Sequence, residues 1–411
     1  MNMNVLFVVP YMPSLVRSRP RNLLRSLVNR GHRVTLLTLW ENKEERDEIE
    51  VMESWGCRVL SKPMPAWLSA INCLRALPGN APLQSVYSFR PDLLHMLNGE
   101  TFDVVHVEHL RGARYGLWLK RERGLPVVWD SVDCISYLFR QAAEESKSLL
   151  GRLRSRLDLE RTERFEGWLL HQFDHVLITS PVDKAALAAL NVTGEAGAPI
   201  SVIGHGVDAE YFVPDTAVSR EPATIVLSGK MSYHANVTMA VYLVREIMPL
   251  VWARRPDVKV WLVGKDPSRE VQALAEHENV VVTGTVPEIR PFLQKATMAV
   301  VPMKYGAGIQ NKILEAMACG TPVITSSNAL AALQAKAEKD LLIANQPGEF
   351  AQKILWLLDN VTEQKRLGKN GRVYIEAHHQ WDAITAKVET IYQQAIAKYQ
   401  KPVLHSKLTV A

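Results

Sequence analysis

The stretch Ala299–Ser326, AVVPMKYGAGIQNKILEAMACGTPVITS, decides the fold of this 411-residue chain. The run Met298 to Pro302 has the length and the β-branched content of a buried parallel strand, and Thr321 to Thr325 repeats the pattern. Between the two runs, a glycine-bearing loop leads into a predicted helix, Ile309 to Cys319, that ends at Gly320. Strand, glycine loop, helix and strand make one βαβ unit, which predicts an α/β fold built on a parallel sheet.

The start of the predicted helix has the features of a nucleotide site. The first turn leaves N–H groups unpaired with a partial positive charge, and Lys312 adds a full charge, so a phosphate is the expected guest. Glu315 lies on the same helical face and can accept two hydrogen bonds from a ribose diol. A solvated Lys/Glu pair is the alternative, but the adjoining Gly306 and Gly308 and the buried strand favour a nucleotide that carries a group on its diphosphate.

The run Glu315 to Val323, EAMACGTPV, resembles the donor-site motif of the retaining family-4 glycosyltransferases, which have the two-domain GT-B fold. That family typically has a first Glu at the position of Ala307, and Gly306-Ala307-Gly308 is similar to the subgroup of polysaccharide-assembly sugar transferases. The resemblance implies that Glu315 holds the ribose of a sugar nucleotide. It also implies that the N–H groups of Gly308 and Ile309 face the donor.

Two further segments carry the resemblance. Gly204 to Asp208 is similar to the family's Asn-Gly-Val-Asp segment, with His205 in place of Asn. Lys230 matches the basic residue that contacts the donor diphosphate, whereas Asn236 occupies the place of a second basic residue. The resemblance also implies that the backbone at Val286 contacts the base of the nucleotide.

Composition bounds the class of protein. The length predicts two domains, and 47% hydrophobic with 22% charged residues is ordinary for a globular protein. The four cysteines form no CxxC pair, which indicates free thiols in a reducing compartment. No basic leader and no run of 18 uncharged apolar residues is present, so we expect a cytoplasmic protein and leave open a peripheral contact with the inner face of the membrane.

Charge is unevenly distributed along the chain. The net charge is +5, and arginines crowd residues 17–33 and 152–161. Such clusters attract an anionic membrane, a phosphate-bearing acceptor or nucleic acid; without aromatic interleaving or a known module, nucleic acid is the least supported. Pro63 to Leu77 has amphipathic helical spacing, which fits either burial against the sheet, the interpretation we favour, or contact with a bilayer.

The first half of the chain supplies candidate catalytic residues. The predicted strand Phe102 to Glu108 delivers Glu108 and His109 to its carboxyl end, where open α/β sheets place ligands. Family-4 enzymes have Asp-x-x-His-x-His here; Asp103 and His106 match it, and Glu108 stands where the second His is expected. Glu108, His109 and the donor-side Lys230 are therefore the predicted catalytic residues.

Acceptor-side candidates follow two other strands. The opening βαβ unit lacks G-x-G-x-x-G, which argues against a dinucleotide oxidoreductase. Its loop carries Arg17 and Arg19, which suit either an anionic acceptor or a plain surface loop. Asp130 and Asp133 end another strand and fit either acceptor contact or helix capping. No Asp-x-Asp occurs anywhere, which favours a reaction without metal or other cofactor.

These observations predict a GT-B fold with two Rossmann-like domains and a cleft between them. Residues 1–214 form the acceptor-side domain, joined by a C-terminal crossover helix over about 384–400, and residues 223–383 form the donor domain. The resemblance implies a hexosyltransferase-type glycosyltransferase that moves a sugar, with retention, from a nucleotide-diphosphate sugar to a carbohydrate or lipid-linked acceptor in polysaccharide or glycoconjugate synthesis. Lys230, Lys312 and backbone N–H groups would stabilise the leaving diphosphate.

Two alternatives remain. A GT-B nucleotide-sugar epimerase would use Glu108, His109, Asp130 and Asp133 as acids and bases, but the run EAMACGTPV argues against it. A non-catalytic sugar-nucleotide-binding protein would explain the missing first Glu and the missing second basic residue. Measurable transfer or hydrolysis of a donor would exclude it.

Overall fold

A computed structural model describes residues 2–15, 17–145, 149–215, 217–305 and 309–400, without the side chains of 142–157 and of Gln400. The described chain divides into two compact units. The first consists of residues up to Ile178, Asp183–Ile203 and the residues from Thr385 onward, and the second of Thr179–Val182 and Gly204–Ile384.

The first unit contains a sheet of seven parallel strands in the order β3-β2-β1-β4-β5-β6-β7. The strands are β1 Asn4–Val9, β2 Arg33–Trp40, β3 Arg58–Pro63, β4 Val104–Glu108, β5 Val127–Val132, β6 His175–Ile178 and β7 Ile200–Val202. The central strands are apolar and buried on both faces, which is why β1 reads as an almost continuous apolar run rather than as an alternation.

Helices flank this sheet. They are α1 Ser18–Asn29, α2 Lys43–Ser54, α3 Ala66–Ala76, α4 Leu83–Tyr87, a 3₁₀ segment Pro91–Leu97, α5 His109–Arg123, α6 Ile135–Glu145, α7 Leu149–Leu169 and α8 Pro181–Ala188. Helix α5 ends where Gly124 takes a left-handed conformation, with a φ of 61°, and its N–H bonds back to the carbonyl of Lys120.

The second unit contains six parallel strands in the order β10-β9-β8-β11-β12-β13. The strands are β8 Thr224–Ser228, β9 Lys259–Val263, β10 Val280–Val282, β11 Met298–Val301, β12 Val323–Thr325 and β13 Leu342–Ile343. The helical segments are α9 His234–Tyr242, a π segment Leu243–Ile247, α10 Met248–Trp252, α11 Arg269–Gln272, a 3₁₀ segment Ala273–Glu276, α12 Arg290–Lys295, α13 Asn311–Ala318, α14 Ser327–Leu330, α15 Pro347–Asp359, α16 Val361–His378 and α17 Trp381–Gln400.

Each sheet has one topological switch point, where the strand order reverses. In the first unit it lies between β1 and β4, and in the second unit between β8 and β11. Parallel sheets leave room for a ligand outside the carboxyl ends of the strands at such a point. The loops that follow these four strands are therefore the places where functional side chains are expected.

The predicted α/β class and the two Rossmann-like sheets are confirmed. The favoured burial of Pro63 to Leu77 is wrong for its largest side chains: Trp67 and Leu74 are both 64% exposed, because the helix contacts the unit through its opposite face. Within the described part of the chain, no helix is both long enough and apolar enough to span a bilayer.

Candidate active site

Two glycines bring the carboxyl ends of β8 and β9 together in the second unit. Gly229 has a φ of 145° and donates its N–H to the carbonyl of Val263 at 2.9 Å. A Cβ on Gly229 would lie 2.8 Å from Nδ2 of Asn236 and 3.4 Å from Cε of Lys312, and a Cβ on Gly264 would lie 1.9 Å from the oxygen of Gly229. Only glycine fits such close approach, and the approach places the loop after β8 beside Lys312 on α13.

Lys312 and Glu315 form the charged face of α13. Lys312 is 9% exposed, and its Nζ donates to Oε1 of Gln310 at 3.1 Å. Burial lowers the pKa of Lys312 to about 8 and raises the pKa of Glu315 to about 7, and each charge partly offsets the shift of the other. Among the described residues no ion pair within 4 Å joins them. Two incompletely compensated charges at a switch point make this face of α13 a candidate ligand site.

Lys230 lies on the other side of this switch point. Its side chain is 45% exposed, and Nζ lies 3.7 Å from Oδ2 of Asp266. Asn236, which occupies the place of the second basic residue, donates from Nδ2 to the carbonyl of Lys230 at 2.8 Å. Asn236 therefore holds the backbone of Lys230 instead of supplying a charge.

The segment Gly204–Val207 is fixed by a hydrogen-bond chain. Nδ1 of His379 donates to the carbonyl of His205 at 2.6 Å, and Nε2 accepts from the hydroxyl of Tyr374 at 2.9 Å. That hydroxyl in turn accepts the N–H of Gln334. The carbonyl of His205 can only accept, so the proton of His379 lies on Nδ1. The ring of His205 packs edge-on against Trp381 at 5.1 Å.

The remaining donor-side candidates are placed as follows. A Cβ on Gly204 would lie 3.5 Å from Cδ1 of Ile309, so these two predicted residues are neighbours. Val286 lies in the loop after β10 and packs, half-buried, against the core of the second unit. Gly306, Ala307 and Gly308 lie outside the described residues.

Glu108 is a buried carboxyl at the switch point of the first unit. Its Oε1 accepts from the hydroxyl of Tyr11 at 2.9 Å, and Oε2 has no hydrogen-bond partner among the described residues. Burial, with the nearby Asp130 adding to it, raises the pKa of Glu108 to about 8. At neutral pH the group is therefore mostly protonated and can donate as well as accept a hydrogen bond.

Two residues at the carboxyl ends of β4 and β5 have a left-handed backbone. His109 has a φ of 64° and Val132 a φ of 65°, at the ends of β4 and β5. Such a conformation is costly for a β-branched residue and is typical of functional sites. Burial lowers the pKa of His109 to about 3, so its ring is neutral, and its carbonyl accepts from Nε1 of Trp129 at 3.3 Å.

Arg19 and Asp130 pair with each other. Nε and Nη2 of Arg19 both lie 2.8 Å from Oδ2 of Asp130, and the side chains are 3% and 0% exposed. His106 lies 3.7 Å from the same oxygen, and its Nδ1 bonds the hydroxyl of Tyr392 at 2.8 Å. This group stabilises the end of the sheet, and a direct acceptor contact by Arg19 or Asp130 stays a prediction.

The other two acceptor-side candidates, Arg17 and Asp133, have the following contacts. Arg17 donates to Oε1 of Glu45 at 3.0 Å and stacks over the ring of Tyr11 at 4.8 Å. Asp133 is half-buried, and its backbone N–H bonds the carbonyl of Ser131. Sequence reasoning missed Tyr11; its position directly after strand β1 could have revealed it.

Comparison with known proteins shows which proteins this chain resembles. The model of the "Glycosyl transferase 4-like domain" matches residues 16–203, and that of "Glycosyl transferases group 1" matches residues 222–360. A D-inositol 3-phosphate glycosyltransferase from Catenulispora acidiphila is 23% identical over 72% of this chain and 73% of its own length. A mannosyltransferase from Mycolicibacterium hassiacum, named MMP alpha-(1->4)-mannosyltransferase, is 26% identical over 48% of this chain, and the match spans about half of that relative, 49%.

A solved structure gives the same fold. Anabaena HepE, in complex with UDP-glucose, aligns with a TM-score of 0.69 at 13% identity over 95% of this chain and 100% of its own. Two Rossmann-like units are the architecture of the GT-B fold, and the two matching family models assign the chain to the class of GT-B glycosyltransferases. The chain belongs to family 4 of that class, which confirms the resemblance predicted from Glu315 to Val323. The predicted enzyme class, a hexosyltransferase-type glycosyltransferase, is confirmed at the level of the family.

Proposed function

We propose that this protein transfers a hexose from a nucleotide-diphosphate sugar to a hydroxyl of a carbohydrate or lipid-linked acceptor. The observation that carries the proposal is the placement of buried Lys312 and Glu315 on one face of α13, beside the close approach at Gly229. A buried ammonium suits the diphosphate, and a carboxylate one turn further suits the ribose diol. The relatives that act on glycosyl donors share this family.

The second unit would stabilise the departing diphosphate. Lys312 and Lys230 lie on the two sides of the switch point, and negative charge develops on the diphosphate as the glycosidic bond breaks. Fixed cations and helix N–H groups stabilise such charge without reorganising. We propose that they make a metal ion or other cofactor unnecessary, which agrees with the absence of Asp-x-Asp from the sequence.

The first unit would hold the acceptor through Glu108. A mostly protonated carboxyl with one unpartnered oxygen can both donate to and accept from a hydroxyl. His109, whose ring is neutral, lies next to it. We propose these as the residues in contact with the acceptor, with retention at the anomeric carbon as the family implies and a role in polysaccharide or glycolipid synthesis.

We also propose a location at the inner face of the cytoplasmic membrane, because lipid-linked acceptors are presented there. One relative is named as acting on a phosphatidylinositol monomannoside, a lipid. The partners of the chain would then be a nucleotide sugar, its acceptor and the membrane surface, with no nucleic acid.

The ribose assignment is tested by Glu315→Ala. Loss of two hydrogen bonds from a diol should weaken binding of the nucleotide about tenfold or more, by roughly 1.5–3 kcal/mol for bonds to a charged group. A thermal-shift panel of UDP, GDP, CDP, ADP and TDP, with and without magnesium, first identifies the base, since a ligand of the folded state raises its apparent stability.

The matched control is Glu270→Ala, which removes an exposed carboxylate of the same unit. It should bind the chosen nucleotide as the wild type does. Unchanged affinity and turnover in Glu315→Ala would refute the ribose assignment. Turnover of the matching sugar nucleotide by the wild type would also exclude a non-catalytic binding protein.

A further inference from the structure

Helix α3 has an exposed apolar stripe. Trp67, Ala70, Leu74 and Leu77 follow at intervals of three or four residues and therefore share one side of the helix. Trp67 and Leu74 are 64% exposed, Leu77 is 51% exposed, and Ala70 is exposed as well. We call these four residues the α3 stripe.

The opposite face of the helix is anchored to the first unit. Leu68 packs against the core, and Ser69 is buried. The side chain of Asn72 donates from Nδ2 to the carbonyls of Val86 and Phe89, at 3.2 and 2.9 Å. These contacts fix the rotation of α3 about its axis, so the stripe cannot turn inward without breaking them.

Two arginines lie at the stripe. The other cations of residues 54–91 are compensated, because Lys62 and Arg90 pair with Asp92 and Arg58 pairs with Glu100. Arg75 lies on α3 itself, is exposed and has no ion pair among the described residues. Arg161 donates from Nη2 to the carbonyl of Leu77 at 3.1 Å, which places a second guanidinium at the end of the stripe.

We propose that the α3 stripe docks this protein on a bilayer that contains anionic lipids. Tryptophan and leucine side chains insert into the boundary between headgroups and acyl chains, and neighbouring arginines attract anionic headgroups. A second copy of the chain fits less well, because a stable protein interface uses about 20–30 residues a side and the stripe offers few. This inference rests on the proposed function, because it names the surface through which the protein would reach the membrane.

The test is co-sedimentation with vesicles of phosphatidylcholine alone and of phosphatidylcholine mixed with phosphatidylglycerol. The double variant Trp67→Ser/Leu74→Ser changes exposed side chains and should fold normally, which circular dichroism checks. The matched control is Leu250→Ser/Trp356→Ser, the same change at side chains of the second unit that are 46% and 42% exposed.

The wild type and the control should bind the mixed vesicles, and the stripe variant should bind them about tenfold more weakly or not at all. Arg75→Glu should weaken binding to the mixed vesicles, and added salt should do the same. Failure of the wild type to bind the mixed vesicles, or equal binding by the stripe variant, would overturn the proposal. A dimer in sedimentation velocity that Trp67→Ser/Leu74→Ser abolishes would assign the stripe to a second copy and also overturn it.

The result of the vesicle test is independent of the result of the nucleotide test of the proposed function. Vesicle binding requires no nucleotide, and the thermal shift by a nucleoside diphosphate requires no membrane. A chain that binds vesicles through the stripe but no nucleotide would keep this inference and lose the donor site. A chain that binds nucleotide but no vesicle would do the reverse.

Discussion

At the scale of single residues, burial sets the chemistry of the second unit. Lys312 and Glu315 share one helical face, and loss of hydration moves their two pKa values toward each other, to about 8 and about 7. Both charged forms are present together only in the interval between these values. A bound diphosphate and diol would supply the compensation that the protein alone does not.

This interval predicts a narrow pH range for binding. A diol needs the ionised form of Glu315, and a diphosphate needs the protonated form of Lys312. We therefore expect affinity for the nucleoside diphosphate to peak between about pH 7 and 8 and to fall by up to about tenfold per pH unit on either side. Isothermal titration calorimetry from pH 5.5 to 9.5 measures it, and Glu315→Gln should lose the acid-side fall. A flat profile would contradict the assignment.

The same shifts affect the stability of the unliganded protein. Between about pH 4.5 and 7 folded Glu315 binds more protons than unfolded Glu315, so its contribution to the free energy of unfolding falls as pH rises. Between about pH 8 and 10.5 the unfolded chain keeps the proton that folded Lys312 has lost, so that contribution rises with pH. Urea denaturation of the wild type and of Lys312→Met across pH measures the difference.

At the scale of elements, a carboxylate from one helix caps another. Oε1 of Glu166, on α7, accepts the N–H of Ile135 at 2.9 Å, and Oε2 accepts the N–H of Ser136 at 3.0 Å. Both N–H groups belong to the first turn of α6, where N–H groups have no carbonyl partner within their own helix. The buried carboxyl thus replaces a capping side chain within α6.

Removal of this carboxyl should be costly. Glu166→Ala leaves two buried N–H groups unpaired and should lower the free energy of unfolding by about 1–3 kcal/mol, whereas Glu166→Gln keeps one acceptor and should cost less. Urea unfolding measures both. The control is Glu163→Ala on the same helix, α7. It breaks a more exposed ion pair with Arg140 of α6 and should cost at most ~1 kcal/mol. Equal costs for Glu163→Ala and Glu166→Ala would contradict the capping role.

Elements with a strong local signal could be predicted from the sequence. The βαβ unit around Glu315 was predictable because its strands are apolar and its helix is bounded by glycines; the observed helix, Asn311–Ala318, is only slightly shorter than predicted. Strand β3 and helix α16 were missed, since β3 mixes exposed and buried residues and α16 has many polar ones. The partners of Glu108 and Arg19 lie about 100 residues away along the chain, so no local pattern could reveal them.

At the scale of the whole molecule, the end of the chain belongs to the first unit. Helix α17 starts in the second unit, and its residues from Thr385 onward contribute to the first. Glu389 accepts from Nε of Arg30 at 2.6 Å and bonds Nε2 of His32 at 2.7 Å, and Tyr392 is fully buried. The apolar stripe in the sequence predicts this helix. The resemblance to family-4 enzymes implies that the helix crosses back to the first domain.

Truncation after Ile384 should therefore unfold the first unit selectively. Loss of one large buried side chain alone, such as Tyr392, costs about 3–5 kcal/mol, a large share of the stability of a domain. Calorimetry should show a lost or strongly lowered transition, while the second unit keeps its thermal shift by the nucleoside diphosphate. Truncation after Gln400 retains every contact of α17 described above and should leave both transitions unchanged. Two intact transitions in the shorter chain would contradict the assignment.

The close approach at Gly229 has a consequence for engineering and for divergence. No side chain fits at Gly229 or Gly264, since the added carbon would meet backbone or a neighbouring amide at 2.8 Å or less. New donor preferences therefore cannot arise by substitution at these two positions. The loop after β10 is freer, because Thr285 is exposed and Val286 is only half-buried. A library that aims to change the accepted nucleotide should randomise Thr285 and Val286 and keep the two glycines fixed.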